Sequence, residues 1–145
     1  MDWIIGIGNR MRGDDGLGPV LVDRLEATLG VRTCSVDQLT AELAEDLSTA
    51  DRVLFVDATA GENGIELKPI APRPARGLGH ALPPEGLLEL TARAFGRAPA
   101  GWLLAIPGRL FGWGECLSEE AEACLFEAEA TLQRWVQRAM VMVGV

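Results

Sequence analysis

No hydrophobic run in this sequence approaches the roughly 18 residues that a membrane-spanning helix needs, so no membrane segment is expected. Cysteine is scarce. Cys34, Cys116 and Cys124 are an odd number and contain no Cys-x-x-Cys pair. That argues against a disulfide framework and makes a reducing cytoplasm the expected compartment. The first residues, Met1-Asp2-Trp3-Ile4-Ile5-Gly6, lack a basic stretch and are too short for a signal peptide. They read as the first strand of the fold. Positive charge is in deficit, with 13 Lys and Arg against 21 Asp and Glu and a net charge of −8. Such a surface repels phosphate backbones, so no nucleic-acid partner is expected. It suits a partner that is basic or carries a cation. Histidine is the scarcest ligating residue, present only as His80.

What is present fits a soluble globular protein. The chain is 48% hydrophobic and 23% charged. Its 145 residues suit one domain, 1–145, burying about 70% of its unfolded surface.

Hydrophobic spacing orders the elements. Residues 3–7 are a short apolar run before Gly8-Asn9, a buried strand ending in a turn. Apolar residues from Leu17 to Leu29 recur at helical spacing, and Gly30 is placed to stop that helix. Residues 31–36 alternate as a second strand. A short helix over 41–48 follows, with Thr40 as its expected N-cap. Residues 52–57 make a third buried strand. This β-α-β-α-β order implies a parallel sheet covered by helices.

The rhythm then breaks. Residues 65–70 alternate as a strand only about seven residues after the third, too few for a parallel crossover. The fourth strand should therefore run antiparallel to the third after a hairpin, and Pro69 favours an edge position. Residues 71–82 form a Pro/Gly/Arg-rich loop. Pro83-Pro84 open a helix to about Arg97, with Leu87, Leu88, Leu90 and Phe95 on its apolar side. Residues 102–106 read as the last strand, stopped by Pro107. A long helix starts after Ser118 and runs to about Met142.

Three positions at element ends carry chemistry. One is the loop Gly8-Asn9-Arg10-Met11-Arg12-Gly13-Asp14-Asp15-Gly16-Leu17-Gly18 after the first strand. The second is Asp57, closing the third strand, and the third is His80. Open parallel sheets bind ligands beyond the carboxyl ends of their strands, at the switch in strand order. A 2-1-3 arrangement would bring Asp15 and Asp57 together there, and the 71–82 loop is long enough to return His80. Two carboxylates and one imidazole suit a divalent transition metal with positions left open. An open set fits a metal supplied or shared by a substrate. A dinucleotide site is disfavoured, because Met11 stands where the third glycine belongs and two aspartates occupy the pyrophosphate position.

Each feature also has an ordinary explanation. Asp14 or Asp15 could cap the following helix, and the cap role is assigned here to Asp14. Asp57 could be a turn aspartate, and a lone histidine is more often structural than a ligand. The cysteines read as small buried hydrophobes. Arg73, Arg76, Arg93, Arg97, Arg109, Trp102 and Trp113 read as solvated faces or packing.

Taken in order, however, the segments resemble one family. Gly6 to Gly18 resembles the N-terminal signature of the hydrogenase maturation proteases, and Gln38-Leu39-Thr40-Ala41-Glu42-Leu43 their second segment. Val56-Asp57-Ala58 is similar to the third. Gly79-His80-Ala81-Leu82 with Leu87-Leu88 is similar to the histidine motif. Ile106-Pro107, Gly114 and Leu117-Ser118 resemble the last motif. The likeness covers nearly the whole chain. It departs at Asp15, often glutamate in the family, and at Gly79, often serine or threonine.

The resemblance implies an α/β fold of the phosphorylase/hydrolase-like kind. This is a three-layer, twisted, five-stranded, mostly parallel sheet with one antiparallel strand and helices on both faces. It implies an endopeptidase that cleaves the C-terminal extension from a nickel-loaded nickel-iron hydrogenase large-subunit precursor. Asp15, Asp57 and His80 fall on the family's metal-binding and catalytic trio. The nickel would arrive with the substrate, no tightly bound metal of the chain's own is expected, and the chain should be monomeric. Two alternatives use the same residues: a non-catalytic nickel-binding assembly factor, and an unrelated metal-dependent hydrolase.

Overall fold

A computed structural model describes residues 1–25, 31–60, 64–75, 82–108, 114 and 117–143, the last five as helix backbone. Its strands are β1 (Asp2–Ile7), β2 (Val31–Val36), β3 (Arg52–Ala60), β4 (Glu66–Ile70) and β5 (Ala100–Gly108). Its helices are α1 (Leu17–Asp23), α2 (Leu43–Leu47), α3 (Pro84–Phe95) and α4 (Glu119–Val143). A 3₁₀ turn, Gly13–Gly16, leads directly into α1. The five strands form one sheet in the order β2-β1-β3-β5-β4. The first four of these are parallel, and β4 runs antiparallel to β5.

The central strands are buried on both faces, which is why they read as continuous apolar runs. Ile4, Leu54, Val56, Leu104 and Ile106 face a core completed by α1 and α4. Ile5, Val53 and Phe55 face a second core completed by α2 and α3. In α4 the buried residues Ala121, Leu125, Ala128, Leu132 and Trp135 recur every three or four positions, the stripe of a helix lying on a sheet. The expected three layers are thus present, with the 2-1-3 order at their centre.

Several details differ from the sequence reading. β4 has the expected orientation and edge position, but its partner is β5 and not β3. The final strand inserts between them, a non-local pairing that the short β3–β4 separation conceals. Pro107 does not stop β5, which continues to Gly108 in register with Ala60. The β4 ladder ends at Ala105, so Pro107 lies where that side of β5 has no strand to bond. Helix α1 ends at Asp23, and the expected stop at Gly30 lies outside the described residues. Thr40 does not cap α2 with its side chain; its carbonyl closes a turn with the Leu43 N–H at 3.2 Å. Helix α3 ends at Phe95, terminated by Gly96 at φ 81°, and Phe95 is exposed. Cys34 and Cys124 are free and half-buried, and Cys116 lies outside the described residues.

Candidate active site

The carboxyl ends of β1, β2 and β3 form one rim of the sheet. Asp57 lies on it, level with Ile7 of β1 and Ala105 of β5. Side chains alternate along a strand, so Asp57 shares the face of Val53 and Phe55, toward α2 and α3. Beyond Ile7 the chain turns at Gly8, whose φ of 143° is open only to glycine among ordinary residues. A Cβ there would stand 1.8 Å from the Asp15 carbonyl oxygen. Gly18 at the start of α1 is equally constrained, because a Cβ would stand 2.4 Å from the Val56 carbonyl. These two close approaches seat the 3₁₀ turn and α1 directly on β1 and β3.

That seating separates two adjacent aspartates. Asp15 folds back over the loop and accepts the Asn9 backbone N–H at 2.7 Å. It is only partly buried, on the Asp57 side. Asp14 is fully buried and points the other way. Its Oδ1 accepts the Ser118 N–H at 2.8 Å, and its Oδ2 accepts the Ser118 hydroxyl at 2.7 Å. The same hydroxyl oxygen accepts the Ala121 N–H at 3.1 Å, making Ser118 the N-cap of α4. Asp14 therefore does not cap its own helix, as the sequence suggested. It ties the site loop to the start of α4. Gly114 strengthens the junction, accepting from the Gly13 N–H at 2.8 Å and donating to the Met11 carbonyl at 2.7 Å.

Burial pushes the Asp57 carboxyl up from 3.8 to about 6. The Ala58 N–H opposes this by donating to the charged form, and the Asp15 charge adds to it. The two carboxylates thus lie near enough to repel each other through a partly dry medium. Two of the three expected site residues are brought to one rim. The third, His80, lies outside the described residues, as do Gly79, Arg76, Arg109 and Trp113. Among the described residues, no three metal-ligating side chains converge. A depression of about 310 Å³ opens beside the loop, between Asn9 and Met11 after β1 and Ser35 and Asp37 at the end of β2.

Of the remaining residues, Arg93 pairs with Glu89 on α3, and Arg97 donates to the Ser48 and Ala50 carbonyls. Arg73 is exposed. Sequence reasoning missed the Asp14–Ser118 contact. Ser118 was visible as a helix start, but no local spacing reveals a partner 104 positions away.

Fold and rim together define a class: a three-layer α/β protein with an acidic pair at the switch point of a 2-1-3 sheet. No protein-family model and no curated protein sequence matches the chain. Solved structures do. A hydrogenase maturating endopeptidase, HybD of E. coli, superimposes with a TM-score of 0.80 at 18% identity, covering 95% of this chain and 93% of its own. A hydrogenase 2 maturation peptidase from a Thaumarchaeota archaeon is 27% identical, with a TM-score of 0.69 over 94% of this chain and 97% of its own. A [NiFe] hydrogenase maturation protease, HycI of Thermococcus kodakarensis, is 24% identical, with a TM-score of 0.69 over 90% and 88%. In fold, and at 27% identity to one of them, the chain is similar to hydrogenase maturation endopeptidases.

Proposed function

We propose that this chain removes the C-terminal extension of a nickel-loaded [NiFe] hydrogenase large-subunit precursor, and that Asp15, Asp57 and His80 recognise the nickel which that precursor carries. The observation carrying this reading is the pair of neighbouring carboxylates at the rim, with Asp57 held up at about 6. Two like charges kept together in a partly buried site are stabilised by a cation. The pair leaves most of a coordination sphere open, which suits a metal whose other ligands belong to the substrate. Metal recognition would then make cleavage depend on prior nickel loading.

Support for His80 comes from its neighbours. The Leu82 N–H donates to the Leu39 carbonyl at 3.4 Å, and Leu82 packs on the core that Asp57 faces. Only Ala81 stands between His80 and Leu82 in sequence. The depression beside Asn9 offers an extended polypeptide a place to lie. The enzyme would act as a monomer in the cytoplasm, without a resident metal. No described helix is long and apolar enough to cross a membrane.

The test is incubation of purified, nickel-loaded precursor with the wild-type chain and with Asp15→Asn, Asp57→Asn and His80→Ala. Mass spectrometry of the precursor's C-terminus reads cutting directly, so it also separates cutting from mere holding. Each variant should process at below about 1% of the wild-type rate, as expected when a metal-recognising group is lost. Full processing by all three would remove the site assignment. An intact precursor with the wild-type chain would remove the peptidase reading.

A further inference from the structure

A second cavity lies at the opposite end of the sheet. It measures about 280 Å³ and is lined by Arg52, Trp102, Thr131, Arg134, Trp135 and Arg138, with Leu67 at one side. Arg52 opens β3, five residues before Asp57, which places the two about 17 Å apart along the strand. By alternation Arg52 shares the face of Leu54 and Val56, under α4, and Asp57 shares the other. The cavity is therefore separate from the candidate active site.

Its three cations are not equally committed. Arg52 is engaged: it donates to Asp2 Oδ2 and to the Trp135 carbonyl, each at 2.9 Å, and lies 3.7 Å over the Trp135 ring. Thr131, Arg134 and Arg138 follow one another at spacings of three and four, on one face of α4. Arg134 donates to the Thr131 hydroxyl at 3.3 Å. Among the described residues, neither Arg134 nor Arg138 has a carboxylate within ion-pair reach, whereas Arg10, Arg24, Arg52 and Arg93 each take one. In a chain of net charge −8, two guanidiniums with no carboxylate partner among the described residues, beside an indole wall, form a positive site.

We propose that this cavity binds a phosphate monoester carrying a planar organic group, the class to which nucleoside monophosphates belong. Guanidinium forks match phosphate oxygens in a bidentate way. A monoester carries a charge of roughly −1.5 to −2, which the two uncommitted arginines balance. The cations converge on one cavity. That suits one doubly charged group better than an acidic peptide, whose single charges are spread at about 3.3 Å per residue. Trp102 and Leu67 supply the apolar wall on which a flat ring can rest. At about 280 Å³ the cavity falls just below the usual range for ligand pockets, about 300–1,000 Å³, so the ligand is small and part of it extends beyond the cavity.

The test is isothermal titration of the full chain, at low salt, with adenosine monophosphate, orthophosphate and a hexaglutamate peptide. Adenosine monophosphate should saturate with a Kd below about 1 mM. Orthophosphate should bind at least about tenfold more weakly, because it lacks the stacked ring. Arg134→Ala and Arg138→Ala should each weaken both ligands by roughly tenfold or more. Both positions are exposed on a helix, where alanine is well tolerated. Trp102→Ala should erase the advantage of the nucleotide while leaving orthophosphate unchanged. No saturation by the nucleotide below that concentration would overturn the proposal, as would unchanged affinity in an Arg134→Ala/Arg138→Ala double variant. Equal affinity for orthophosphate would overturn the planar group. Tighter binding of hexaglutamate would assign the cavity to an acidic polypeptide instead.

Discussion

Replacing Asp57 by asparagine should make the protein more stable while abolishing its processing of precursor. In the native fold the Asp57 carboxyl is held near 6, against 3.8 for an ordinary aspartate. The folded chain therefore binds an extra proton between those values, so wild-type stability falls as pH rises through that window. Below pH 3.8 both folded and unfolded chains carry the neutral acid, and the penalty is absent. Above pH 6 both carry the carboxylate, and the penalty is complete. A pKa difference of about 2, at 1.36 kcal/mol each, gives roughly 3 kcal/mol. Asparagine keeps an oxygen that can accept the Ala58 N–H, and it never bears the charge. Its advantage should be small at pH 4, grow to pH 6 and then stay level. For a chain of this size that corresponds to a rise in Tm on the order of 10 °C at pH 8. Thermal unfolding followed by circular dichroism at pH 4, 5, 6 and 8 would measure it, without added metal. A Tm difference that does not change with pH would refute the reasoning, because the carboxylate would then carry no desolvation penalty. A variant destabilised at pH 8 would refute it more directly.

Ser118→Ala should lose roughly 2–3 kcal/mol, since it removes both the cap of α4 and a hydrogen bond to the buried Asp14 carboxylate; urea unfolding reads the loss. Gly18→Ala should cost more than about 3 kcal/mol, because its Cβ would meet three backbone atoms at 2.4–2.9 Å, and soluble expression at reduced temperature followed by thermal unfolding would show it. Asp2→Asn should destabilise the fold by about 1–3 kcal/mol by leaving the half-buried Arg52 without its carboxylate, and the loss should change little with salt, as buried pairs are poorly screened.

The elements themselves were largely legible in the sequence. Short apolar runs at 3–7 and 52–57 mark strands buried on both faces, and Pro69 marks an edge. What the sequence could not convey was pairing across distance. The insertion of β5 between β3 and β4 depends on contacts between residues more than 30 positions apart, and hydrophobic spacing carries no such information. Pro107 misled for a related reason. Proline is excluded from a strand only where its missing N–H would have had a partner, and the partner here ends at Ala105. At the site, Asp15 and Asp57 stood out in the sequence as residues at element ends, because the rim of a parallel sheet is where loops converge; Asp57 does not in fact close its strand, since pairing with β5 carries β3 three residues further to Ala60.

The two adjacent aspartates show why such a reading needs the structure to complete it. In sequence, either Asp14 or Asp15 could cap the following helix, and the cap role is assigned to Asp14. In the fold, one backbone step turns them apart. Asp14 spends both its oxygens on Ser118 and is sealed from water, so it has little left to offer a ligand. Asp15 accepts the Asn9 backbone N–H and stands where its charge acts on Asp57. The arrangement is unfavourable at Asp57 and well supported everywhere around it. Gly8 and Gly18 admit the close backbone contacts, and the Asp14–Ser118 tie fixes the turn to a long helix packed on the sheet. A surrounding structure that holds a costly contact in place is how proteins keep charge ready for a ligand. A cation between Asp15 and Asp57 would relieve that cost. The same geometry that weakens the empty fold would then favour a substrate that brings the metal with it.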